Sequence, residues 1–184
     1  LPRSSMTVAG CNSLYLVLDR YYSQTDQTYA LFEGARPNQK ARKEMRAINR
    51  AIAMGDKFLE FQPPDPTQFY GYELFGLERL GLASGRSIVG GLDWFRHYVD
   101  GAAEHRWGSD PIADSFNLIF LTHGQAPVLF QKLEHGADED RWNHYHRDLA
   151  GLTRYLSGTF ERLLRWQRIP VDAAGRFEWQ LTLP

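Results

Sequence analysis

Between Asp138 and Gln167, apolar or bulky residues recur at Trp142, Tyr145, Leu149, Leu152, Leu156, Thr159, Leu163 and Trp166. Steps of three and four in strict alternation are the a/d spacing of a heptad repeat, which predicts one long amphipathic helix over about 138–167. A helix of that length must hide its seam, either on a sheet of the same chain or against a second copy. The bulk of Trp142, Tyr145 and Trp166, with Thr159 at a d position, suits irregular packing within the chain better than a uniform dimer seam. A homo-oligomer assembled through the 142–166 seam is the alternative.

Upstream, Leu14 to Leu18 and Thr28 to Phe32 are short apolar runs around a turn-forming Ser23-Gln24-Thr25-Asp26, and read as two strands or a strand followed by a helix. Ala41, Met45, Ile48 and Ile52, spaced four, three and four, mark an amphipathic helix over 39–54, with Asn38 as N-cap and Gly55 as its end. Phe58 to Phe61 then reads as a short extended piece. Three prolines in Gln62-Pro63-Pro64-Asp65-Pro66-Thr67 make residues 62–68 the best internal linker.

Tyr72 to Leu82 is weakly helical, and Ser87 to Arg106 is a better helix with Leu92, Phe95, Val99 and Ala103 on one face. Phe116 to Leu121 and Val128 to Leu133 flank Thr122-His123-Gly124-Gln125-Ala126-Pro127 and read as a β-hairpin. Arg176 to Leu183 alternates polar and apolar residues, the period of a strand with Phe177 and Trp179 inward. These elements predict an α+β fold in which several helices pack on a small, mostly antiparallel sheet. At 184 residues the chain suits a single domain over 1–184.

Twenty-one basic and twenty-two acidic residues give a net charge of -1, so no global field draws the molecule to nucleic acid or an anionic membrane. Any such attraction must be local. No run approaches the roughly 20 apolar residues of a membrane span, so no membrane partner is expected. The single Cys11 excludes an internal disulfide and a thiolate zinc cluster, and it fits a reducing, cytoplasmic setting. Val8-Ala9-Gly10-Cys11 has the form of a lipoprotein cleavage box, yet Leu1 to Thr7 contain no apolar stretch of the kind that precedes one.

Local positive charge is concentrated on the 39–54 helix. Lys40, Arg42, Lys43, Arg46 and Arg50 face a single acid, Glu44, and Lys43, Arg46 and Arg50 project away from Met45 and Ile48. Such a face suits a row of phosphates or an acidic protein surface, and equally a plain solvated helix face. Phe69, Tyr70 and Tyr72 crowd together after the prolines, where they would stack on bases or pin a loop to the core. Arg147, Arg154 and Arg168 share one heptad position as a polar outer stripe.

Two chemical readings compete with binding. Asp140, His144 and Asp148 at i, i+4 and i+8 would share a helix face and could hold a divalent cation for hydrolysis, with His123 or His135 completing the set, although capping explains the same residues. Cys11 could be a nucleophile, but no histidine is near it in sequence. GxGxxG, GxxxxGK[ST], GxSxG and HExxH are all missing. The sequence is therefore read as a non-catalytic accessory or regulatory protein, without a cofactor, that contacts nucleic acid or an acidic partner through its basic helix. A metal-dependent hydrolase and a structural subunit built on the long helix are the alternatives.

Overall fold

The computed structural model describes residues 3–19, 39–64, 71–104, 106–134, 147–172 and 174–177. Three helices form its first layer: α1 (Ser4–Val17), α2 (Gln39–Phe61) and α3 (Tyr72–Ser84), with α1 packed against both others. A two-residue hairpin follows, β1 (Ile88–Val89) and β2 (Leu92–Asp93), and then α4 (Trp94–Ala103) and α5 (Pro111–Gly124). The chain continues through β3 (Val128–Glu134), α6 (Asp148–Thr159) and β4 (Arg165–Pro170). The fold is α+β, with six helices and two separate strand pairs among the described residues.

The apolar run at Leu14 to Leu18 is thus helical, ending α1 rather than forming a strand; Thr28 to Phe32 lies outside the described residues. Helix α2 does not stop at Gly55. A Cβ there would come within 2.4 Å of Cys11 Sγ, so this glycine is the notch through which α1 and α2 approach, and the helix carries on through Phe58 to Phe61. A helical glycine costs only about 1 kcal/mol relative to alanine, which close packing offsets. Gly81 does the same for α3, where a Cβ would lie 2.2 Å from Trp94 Nε1. Trp94 is fully buried, donates its indole N–H to the Arg86 carbonyl at 2.9 Å, and meets Phe120 edge-on at 5.9 Å.

The helix expected over Ser87 to Arg106 begins later. Gly90 and Gly91, at φ +56° and +75°, close the β1–β2 hairpin with the left-handed turn that paired antiparallel strands require. Asp93 then caps α4 by accepting from the Arg96 N–H at 3.0 Å. The buried face is Trp94, Tyr98 and Ala102. The helical period was legible, but its phase was shifted by counting Leu92, which belongs to β2.

The C-terminal half departs furthest from expectation. Phe116 to Leu121 lies within α5, which Asp110 and Pro111 start cleanly, so there is no hairpin across Thr122 to Pro127. Strand β3 instead pairs in parallel with β4, and α6 is part of the crossover between them. The sheet is therefore not mostly antiparallel. The long helix over 138–167 is not formed either: residues 135–146 lie outside the described set, α6 ends at Thr159, Glu161 takes a left-handed φ of +49°, and Trp166 sits in a strand. Heptad spacing continued through this break because a strand buried on both faces also places bulky residues at short intervals. A dimer seam along one continuous 142–166 helix goes with it.

Arg165 through Ile169 are all buried, two arginines and a glutamine among them. Several of their polar groups are met by main chain and acid: Arg165 Nη1 donates to the Gly124 carbonyl, Arg168 pairs with Glu134, and the Arg168 N–H donates to Gly85 O at 2.7 Å, whereas Arg165 Nε has no hydrogen-bond partner among the described residues. Arg147, Arg154 and Arg168 therefore do not form an outer stripe. Phe177, expected inward, is 36% exposed, and residues 178–184 lie outside the described set.

Two substitutions test this arrangement. Trp94→Ala should cost about 3–5 kcal/mol in urea unfolding, as for other fully buried aromatics. Leu152, a seam position but 42% exposed on α6, should cost under about 1 kcal/mol when changed to Ala. Equal losses at the two positions would restore the long-helix reading.

Candidate functional site

Helix α2 has two faces of opposite character. Successive residues turn by about 100°, so Lys43, Arg46, Arg50 and Lys57 fall within an arc of about 60°. All four are exposed. Ile48, Ile52 and Leu59 lie on the opposite side, Ile52 and Leu59 buried and Ile48 packed against the core. Met54, 66% exposed, and Phe61, 89% exposed, share the basic arc, so cations and large apolar groups alternate along about 27 Å of helix. Asp56, beside Lys57 in sequence, turns elsewhere: Oδ2 accepts from Arg86 Nη1 at 3.0 Å and Oδ1 from the Gly90 N–H at 3.0 Å.

Ending the helix at Gly55 had hidden Lys57 and Phe61. The signal for them was the three-and-four spacing of Arg50, Met54, Lys57 and Phe61, which runs on past the glycine. The side chains of Lys40 and Arg42 lie outside the described residues, as do Phe69 and Tyr70. Tyr72 opens α3 with its ring edge-on to Phe116 at 5.8 Å and lines a cleft rather than the basic face. Of the metal trio, Asp140 and His144 lie outside the described residues; Asp148 accepts from Lys132 Nζ and from the Leu149 N–H at the start of α6. Among the described residues no group of three His, Cys, Asp or Glu side chains is arranged to hold a metal ion.

The cleft, of about 570 Å³, lies between α1, α3, α6 and the start of β4. At one end Asp19, buried at the end of α1, accepts from Arg147 Nε at 2.6 Å and from Arg154 Nη2. Arg147 also donates from Nη1 to the Ala83 carbonyl at 2.7 Å, and its guanidinium lies 5.0 Å from the Tyr15 ring and 5.6 Å from the Trp166 ring. At the other end Ser4 Oγ donates to Glu73 Oε1 at 3.2 Å, and Asn12 Nδ2 donates to the Gly76 carbonyl at 2.9 Å. Five buried atoms of residues lining the cleft have no hydrogen-bond partner among the described residues: Asn12 Oδ1, Glu73 Oε2, Arg147 Nη2, Thr153 Oγ1 and Arg165 Nε. Native proteins leave few such atoms, so their concentration here marks the cleft as a candidate site.

Two other reactive groups are built into the core. Burial, reinforced by Asp56, pushes the Cys11 thiol up to about 11, which leaves little thiolate at neutral pH and argues against a nucleophile. Glu78 is fully buried on α3, and its Oε1 lies 2.9 Å from His123 Nδ1. Burial raises its carboxyl above the ordinary value, opposed by the hydrogen bond and charge of His123. Arg165, whose guanidinium lies 5.3 Å from the Trp94 ring, is lowered by burial and supported by Asp93 and Glu78.

Comparison of the chain with family models, curated proteins and solved structures gave no match. No described helix is long and apolar enough to cross a membrane.

The ion pairs give unequal predictions. Asp19→Ala leaves Arg147 without its carboxylate in a buried setting and should cost about 3–5 kcal/mol, whereas Arg154→Ala removes an exposed partner and should cost at most about 1 kcal/mol. Chemical unfolding of both variants measures the difference.

Glu78 gives a pH test. Its folded-state pKa is raised, so its contribution to stability is full below the unfolded value of about 4.5 and is lost as pH rises through the folded value. In Glu78→Gln, urea unfolding should show a shallower fall in stability from about pH 4.5 toward neutrality than in wild type. An unchanged slope would mean that burial does not raise this carboxyl.

Proposed function

We propose that this protein is a non-catalytic nucleic-acid-binding accessory protein that lays the outer face of α2 along a phosphate backbone. The observation that carries the reading is the exposed stripe of Lys43, Arg46, Arg50 and Lys57 with Phe61 at its end, opposite the helix's core face. Four cations on one side supply a local attraction that a chain of net charge -1 lacks as a whole. An exposed ring beside them offers a stacking surface to an unpaired base. That combination favours single strands over duplex. It also favours nucleic acid over an acidic protein, which would use the cations but leave the ring in water.

Fluorescence anisotropy with single- and double-stranded DNA and RNA, from low to physiological salt, is the test. Replacing Lys43, Arg46, Arg50 and Lys57 by Gln should flatten the salt dependence by about three units of log affinity per log salt. Phe61→Ala should weaken single-strand binding by about 1–3 kcal/mol and leave the slope unchanged. No binding at low salt, or a wild-type slope in the quadruple variant, would refute the reading. Capture of polyglutamate without nucleic acid would move the face to an acidic protein partner.

A further inference from the structure

The cleft between α1, α3 and α6 is lined by four arginines against two acids, Asp19 and Glu73, and so carries positive charge in a chain whose net charge is -1. Both acids are buried and already engaged, Asp19 by Arg147 and Arg154 and Glu73 by the Ser4 hydroxyl. Two of the arginines reach solvent instead. Arg79 on α3 is exposed, with its guanidinium 5.6 Å from the Phe75 ring, and Arg154 on α6 is exposed while holding Asp19 through Nη2. The charged groups that an occupant can touch are therefore cations. The accessible remainder of the lining is largely apolar. Tyr72, Phe75, Arg79 and Leu82 follow at steps of three, four and three and form one stripe along α3. Leu16 on α1 and Leu163 before β4 also line the cleft and are left exposed.

We propose that this cleft binds a fatty acid, its hydrocarbon chain laid along the apolar stripe of α3 and its carboxylate at the exposed guanidiniums of Arg79 and Arg154. Helical walls spend their main-chain N–H and C=O groups within each helix, so they offer a bound peptide or sugar few partners. A hydrocarbon chain asks for none, and it covers apolar side chains that otherwise face water. Charge then decides between amphiphiles: a carboxylate gains charge-assisted hydrogen bonds from either guanidinium, an alcohol gains weaker ones, and an ammonium is repelled. Seven positions, about 10 Å of helix, separate Arg79 from Tyr72, a length that the zigzag of a ten-carbon acid, with C–C bonds of about 1.5 Å, covers. The cleft volume, about 570 Å³, is within the usual range for a site that encloses a small ligand. Ala9, half-buried in the α1 wall, is one of the small residues that leave this room. The site is independent of the α2 face and stands or falls separately.

Calorimetric titration of the whole protein with octanoate, decanoate, decan-1-ol and decyltrimethylammonium tests the assignment without altering the protein. Decanoate should bind about tenfold more tightly than octanoate, the effect of burying two more methylenes. Decan-1-ol should bind about tenfold more weakly than decanoate, and decyltrimethylammonium more weakly still. Replacing both Arg79 and Arg154 by Gln should bring decanoate down to the affinity of decan-1-ol and leave decan-1-ol unchanged. Ala9→Phe, which fills the cleft from the α1 wall, should weaken both by about tenfold or more. The proposal is overturned if decanoate gives no binding up to about 1 mM, if octanoate or decyltrimethylammonium binds as tightly, if the arginine variant keeps the preference for decanoate over decan-1-ol, or if Ala9→Phe binds like wild type. Should Ala9→Phe fail to fold by circular dichroism, the head-group series and the arginine variant, whose changes lie on exposed side chains, decide the matter.

Discussion

Asp19 joins the two halves of the described structure. Its carboxylate stands at the end of α1 and holds Arg147, which reaches on to the last turn of α3 and introduces α6. Taking these charges out of water is expensive, and the cost is met only because the guanidinium is shared among a carboxylate, a carbonyl and two aromatic faces. The spacing of α1, α3 and α6 follows from that one cluster, and with it the width of the cleft.

The same economy explains β4. Arginines and a glutamine in a strand buried throughout would be ruinous if their polar atoms met hydrocarbon alone. The Gly124 carbonyl takes one Arg165 N–H, the Glu134 carboxylate holds the Arg168 guanidinium, and the Gly85 carbonyl takes the Arg168 main-chain N–H, while Arg165 Nε is left unmet among the described residues. The helical layer is held by ordinary apolar contact around Trp94, Phe120 and Leu59, whereas the strand pair is held to it by directed polar bonds.

Legibility followed the same division. Helices α2 and α3 were readable because their apolar residues recur at one period against a polar background, and even α4 showed its period with the phase displaced by one residue. What misled were glycines and polar core. Gly55 looked like a helix end because sequence shows the propensity cost and not the Cys11 sulfur that fills the space. Phe116 to Leu121 and Val128 to Leu133 are both short apolar runs, which periodicity cannot divide between helix and strand. Arg168 read with Arg147 and Arg154 as an outer stripe because the Glu134 carboxylate that holds its guanidinium lies 34 positions away in sequence. For the sites, Lys43, Arg46 and Arg50 were legible as an outward face, and Lys57 and Phe61 were lost with the false terminus. The cleft was invisible: Asn12, Glu73, Arg147 and Thr153 have nothing in common until three helices bring them together.

The polar attachment of the β3–α6–β4 unit also sets the order in which the molecule comes apart. Directed bonds to a few carbonyls are lost together once a strand lifts, and water replaces each of them at little cost, while the apolar helical layer keeps its driving force. Partial opening should therefore release this unit first, in amide exchange as in proteolysis, and leave α1 to α5 protected. One wall of the cleft departs in that opening. Whatever occupies the cleft is bound only to the closed form, so occupancy and local unfolding compete, and a ligand there would act as a clasp on the half of the chain that is otherwise quickest to loosen.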